Sequence, residues 1–122
     1  MTEQLKEFTF LARTAPYGSD RSSLLLDIAL ASSVFEKRSN YVFMGDGIYQ
    51  LLKGQNADLI QTKTFGKTLE ALSLYGINDI YVHERSMKER CVSEEDLMLD
   101  PIVLNQEKLK FLIRNSRNLI TL

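Results

Sequence analysis

The chain has 122 residues, the length of one ordinary domain, and at this size folding buries roughly two-thirds of the unfolded surface. Hydrophobic residues make up 44% and charged residues 25%, which argues against a disordered chain; a net charge of −1 without any run of five like charges argues against a nucleic-acid grip. One cysteine and one histidine exclude an internal disulfide and leave too few ligands for a zinc cluster, so no metal and no cofactor is expected.

Met1-Thr-Glu-Gln4 lacks a basic leader region, and the apolar runs are too short to span a bilayer. The composition therefore reads as a reduced, cytoplasmic protein with one domain over residues 1–122.

In chain order, Phe8-Thr-Phe-Leu-Ala12 predicts a strand buried on both faces. Pro16 and Gly18 open a loop, and Ser19 or Asp20 is placed to cap a following helix. That helix is expected from Asp20 to Lys37. Leu24, Ile28, Ala31 and Phe35 share one helical stripe, and Leu25, Leu26, Ala29, Leu30 and Val34 widen it. So broad an apolar surface suits a sheet on one side and a partner subunit on the other.

Asn40-Tyr-Val-Phe-Met44 predicts a second buried strand, ended by Gly45-Asp-Gly47, with a short helix over Ile48–Leu52. Residues 55–61 read as irregular. Thr64–Tyr75 is amphipathic through Phe65, Leu69 and Leu72, and Gly76 suits the position just past a helix end. Ile80–His83 is a third strand. Ser86–Arg90 allows a helical turn, and Ser93-Glu-Glu-Asp96 resembles a capping box. Ile102–Leu104 is a short strand, Asn105 caps a helix from Gln106 to about Asn115, and Asn118–Leu122 closes as a strand.

Strands and helices alternate throughout. The expected fold is a single-domain three-layer α/β structure, with a mostly parallel five-stranded sheet, helices on both faces and a flavodoxin-like layout.

In such sheets, sites gather at the carboxyl ends of strands. Four places qualify. The loop with Thr14, Pro16, Gly18 and Ser19 precedes a helix N-terminus, where amides can hold an anion, but it lacks the glycine pattern of a dinucleotide loop or a P-loop. The bland reading is a well-capped turn.

Gly45, Asp46, Gly47 and Tyr49 form a strand-end turn that permits close backbone approach. Asp46 alone is weak evidence for a metal or an acid. Its carboxylate is expected to accept hydrogen bonds from turn amides.

His83 follows a strand and is a candidate general base, but Glu84 is the sole acidic orienter in view, and a lone histidine is more often structural. Cys91 is a candidate nucleophile beside Lys88 and Arg90. A helix end before it and Glu94, Glu95 and Asp96 after it oppose a thiolate.

Thr14-Ala-Pro-Tyr-Gly-Ser19, Gly45-Asp-Gly-Ile-Tyr-Gln-Leu-Leu-Lys-Gly-Gln55, Leu74-Tyr-Gly-Ile77 and Met87-Lys-Glu-Arg90 together resemble the DsrE/DsrF-like family, in its TusC (DsrF-type) branch. The resemblance spans Leu5 to Leu122 and leaves Met1 to Gln4 as a short extension.

It implies a subunit of a sulfur-relay complex built with TusB-like and TusD-like chains as a dimer of heterotrimers. The complex takes persulfide sulfur from a TusA-like donor and passes it to a TusE-like acceptor, for 2-thiolation of the tRNA wobble uridine; tRNA is met only indirectly. In the TusD/DsrE-type subunit the carrier cysteine lies near the end of the third strand. The matching stretch here, Tyr81-Val-His-Glu84, has none, so the resemblance implies a non-catalytic role. Three alternatives remain at this point: a DsrF-type subunit in sulfur oxidation, a persulfide carrier through Cys91, and a flavodoxin-like small-molecule module.

Overall fold

The computed structural model describes residues 6–16, 20–35, 37–53 and 69–122. Its sheet contains β1 (Lys6–Ala12), β2 (Ser39–Phe43), β3 (Asp79–His83), β4 (Ile102–Leu104) and β5 (Ser116–Thr121). The spatial order is β4-β3-β2-β1-β5, and every neighbouring pair is parallel. The chain steps one way from β1 to β4, then returns to place β5 on the far side of β1. The helices are α1 (Arg21–Ser33), the described helical residues 69–74 (α2), α3 (Glu84–Glu89) and α4 (Gln106–Arg114).

Register explains the two apolar faces of the strands. Phe10 lies opposite Tyr41 and Ile120, Tyr41 opposite Ile80, and Phe43 opposite Val82, so these side chains share one face. There they form the larger core with Leu25, Leu26 and Ala29 of α1, Leu69 and Leu72 of α2, and Ile48 and Leu51. Phe10, Tyr41 and Phe43 make a run of ring contacts at centroid distances of 5.9 and 5.0 Å. Burial, with the charge of Asp27 adding to it, pushes the Tyr41 phenol far above its ordinary range and keeps it neutral. The opposite face carries Leu11, Val42 and Leu104 against Leu109 of α4, with Tyr81, Leu112 and Ile113 at its margin. The expected three-layer α/β layout is therefore present, with helices on both sides of an all-parallel sheet.

Several element boundaries differ from expectation. Helix α1 ends at Ser33, not Lys37. Ser32 and Ser33 turn their hydroxyls back onto the carbonyls of Ala29 and Leu30, a bonding mode that competes with helix continuation, and Val34 and Phe35 leave the helix as a turn. Asp20 is the N-cap residue of α1, but its side chain makes no capping bond. Ser19, the other proposed cap, lies outside the described residues, as do 55–61 and the first residues of the Thr64–Tyr75 helix. The segment after β2 is a 3-10 turn over Gly45–Leu51 rather than an α-helix over Ile48–Leu52. Helix α3 begins at Glu84, directly after β3, two residues before the turn that the sequence suggested. Asn105 caps α4 as expected, accepting from the Lys108 amide at 2.8 Å.

Candidate functional site

The carboxyl ends of β1, β2 and β3 meet the 3-10 turn and α3 along one rim. Gly45 leaves β2 with φ of +54°, a backbone state that L side chains adopt at a cost. Gly47 is needed for a different reason. A Cβ there would lie 1.8 Å from the Ala12 carbonyl oxygen, so the turn presses directly on the end of β1. The Met44 amide donates to the same Ala12 oxygen at 3.0 Å, which fixes this approach. Buried Gln50 then reaches the next loop, and its Nε2 donates to the Thr14 carbonyl at 2.7 Å.

Of the first loop, Thr14 and Pro16 are half-buried, and Gly18 and Ser19 lie outside the described residues. Among the described residues, Thr14 Oγ1 and Gln50 Oε1 are buried without a hydrogen-bond partner. Tyr49 is half-buried in the turn.

Among the described residues Asp46 pairs with Arg90 rather than with the turn amides expected for it. Its Oδ1 accepts from Arg90 Nη2 at 3.0 Å and Nε at 3.3 Å. Arg90 also donates from Nη1 to the Ser86 carbonyl at 3.3 Å. The Asp46 side chain is 61% exposed, so the pair is a surface clasp between the 3-10 turn and the end of α3, worth about 1 kcal/mol at most. Among the described residues, no group of three or more His, Cys, Asp or Glu side chains converges.

His83 ends β3 and is buried. Its Nδ1 lies 2.7 Å from Ser86 Oγ and its Nε2 lies 2.9 Å from Gln106 Oε1. The Gly45 amide donates to Ser86 Oγ at 2.9 Å. One proton arrangement satisfies all of these contacts. Gly45 N–H donates to Ser86 Oγ, the Ser86 hydroxyl donates to Nδ1, and Nε2–H donates to Gln106 Oε1. The imidazole thus ties the end of β2, the first turn of α3 and the start of α4 into one chain of bonds. Both ring nitrogens are occupied by neutral partners, and no carboxylate orients the ring, as a general base of the usual kind would require.

Cys91 stands a full helix beyond the end of β3 and is exposed. Its amide donates to the Lys88 carbonyl at 3.2 Å, and the Val92 amide donates to the Met87 carbonyl at 3.0 Å. With φ of +54° at Cys91, these two bonds make a Schellman motif with Cys91 at its left-handed position. The thiol therefore sits at the carbonyl end of α3, whereas helix N-termini are where thiolates are favoured. Neither Cys91 nor His83 joins the other in a common constellation.

The sequence does not single out Ser86 and Gln106, and it marks Arg90 only as a cation beside Cys91. Arg90 and Gln106 meet Asp46 and His83 from far along the chain, so no spacing rule marks them; Ser86 lies only three residues after His83, and its distant contact is with the Gly45 amide. The left-handed state of Cys91 did leave a trace. Met87-Lys-Glu-Arg-Cys-Val92 repeats the pattern of Leu72-Ser-Leu-Tyr-Gly-Ile77, with an apolar residue at each end and the left-handed residue next to last.

The family model for the DsrE/DsrF-like family matches residues 6–122. The chain belongs to the DsrE/DsrF-like family. Its relatives include a TusC homolog of Vibrio vulnificus, 33% identical over 117 residues that cover 96% of this chain and 99% of that one. A TusC homolog of Pseudomonas aeruginosa is 36% identical over 112 residues, 92% of this chain and 94% of that one. The intracellular sulfur oxidation protein DsrF of Allochromatium vinosum is 35% identical over 98 residues, 80% of this chain and 72% of that one. Among solved structures, the ychN protein from E. coli superimposes with a TM-score of 0.81 over 97% of this chain and 100% of that one. At 19% identity that likeness speaks for the fold alone. In this DsrE/DsrF-like chain the third strand ends in His83, and its sole cysteine lies beyond α3.

Proposed function

We propose that the chain is a non-catalytic subunit of a sulfur-relay complex that carries persulfide sulfur toward 2-thiolation of the tRNA wobble uridine. The observation that carries the non-catalytic part is the position of Cys91. It occupies the left-handed residue at the carbonyl end of α3, and the strand end holds His83, bonded on both ring nitrogens. A sulfur carrier needs a thiolate to attack the donor, and a helix N-terminus or nearby free cations supply that state. Here Arg90, the adjacent cation, is engaged with Asp46. In this reading His83 and the Asp46–Arg90 pair are structural, and the rim of Thr14, Gly45, Gly47 and Tyr49 supports a partner's carrier cysteine.

The proposed partners are TusB-like and TusD-like chains in a dimer of heterotrimers, with a TusA-like donor and a TusE-like acceptor docking on the assembled complex. The supporting features are the TusC homologs at 33% and 36% identity and the apolar side chains left exposed at Leu24 of α1 and at Val34 and Phe35 just after it. The proposed complex is cytoplasmic; no helix among the described residues is long and apolar enough to cross a membrane. Co-expression with TusB-like and TusD-like chains, with the affinity tag on this chain alone, tests the reading. Stoichiometric recovery of both partners is the expected result. Recovery of this chain alone, as a stable monomer, overturns it.

The 35% identity to DsrF favours a second reading, in which the same subunit role serves sulfur oxidation. The two readings differ in whether loss of the protein depletes thiolated tRNA or slows oxidation of reduced sulfur.

A further inference from the structure

We draw no further inference here: the strongest candidate, the exposed apolar patch of Val34 and Phe35 after α1 and Leu74 and Tyr75 at the end of α2, carries nothing because nothing in the structure shows what covers it.

Discussion

Cys91 and Gly76 hold the same position in two copies of one helix-ending motif. Gly76 follows α2 with φ of +85°, and Cys91 follows α3 with φ of +54°. In the first copy the Ile77 amide reaches the Leu72 carbonyl at 2.9 Å and the Gly76 amide reaches that of Ser73 at 3.1 Å; in the second, Val92 and Cys91 repeat both bonds on Met87 and Lys88. Glycine fills this state without steric cost, whereas an L residue pays about 1–2 kcal/mol.

Replacing Cys91 with glycine removes that strain but loosens the unfolded chain, which offsets about 0.5–1 kcal/mol. Cys91→Gly is therefore expected to raise stability by about 0.5–1 kcal/mol, and Cys91→Ala to give no gain. Urea denaturation of the two variants beside the parent checks this. A loss of stability in the glycine variant would mean that the thiol makes a contact outweighing the backbone strain.

The two glycines of the turn after β2 should respond unequally. Gly47→Ala drives a methyl group into the Ala12 backbone, a steric clash that rotamer adjustment cannot relieve. A loss of about 3 kcal/mol or outright insolubility is expected, since overpacking against backbone lies at the costly end of its range. At Gly45 the nearest atom to an added Cβ is 3.8 Å away, so Gly45→Ala meets conformational strain alone, about 1 kcal/mol. Equal melting temperatures for the two variants would contradict the close approach of the turn to β1.

Asp46 and Arg90 form an exposed clasp, so Asp46→Ala should cost at most about 1 kcal/mol. A double-mutant cycle with Arg90→Ala should return a coupling of roughly 0.2–1 kcal/mol that shrinks as salt is raised. A coupling near zero at low salt would show that Asp46 acts elsewhere. A stoichiometric metal lost in the alanine variant would overturn the structural reading of this turn.

The Asp96 carboxylate accepts both the backbone amide and the hydroxyl of Ser93, each at 3.0 Å. These bonds, the backbone one first, hold its carboxyl below the usual aspartate range against desolvation, with Lys53 adding the least. A folded value below the unfolded one stabilises the fold above the unfolded pKa. That contribution is lost as pH falls through the lowered value. In a carboxylate NMR titration Asp96 should protonate at lower pH than a model aspartate, and Ser93→Ala should move it back upward. The variant keeps the backbone amide bond, so the return should be partial, and an unmoved midpoint would remove the Ser93 hydroxyl as a cause.

Much of this architecture was readable before any coordinates. The apolar residues on both faces of Phe8–Ala12 and Asn40–Met44 demanded cover from both sides, and strand–helix alternation then left a parallel layered sheet as the economical solution. Asn105 and Gly76 announced their caps through residue type. The strand order was not readable, because nothing local to Ser116–Thr121 says that it pairs with β1. The candidate site was less legible than the fold. His83 could be named, but its partner Gln106 arrives only through the packing of α4 at the end of β3, and Ser86, three residues on, is fixed by the start of α3. Asp46 was singled out for the correct turn and given the wrong partner, since Arg90 lies on a different element. The early end of α1 was hidden because Ser32 and Ser33 are compatible with a helix until their hydroxyls compete for its carbonyls.

The account turns on whether sulfur must pass through this chain's own thiol. The direct measurement is thiolated wobble uridine in cells that lack their own copy and carry the Cys91→Ser variant, with recovery of the partner chains assayed from the same cells. Serine removes the sulfur nucleophile and keeps the shape of the turn. The account predicts an intact complex and thiolation within a few-fold of the parent, equivalent to about 1 kcal/mol or less in the effective barrier. An intact complex with abolished thiolation would contradict it and make Cys91 the carrier.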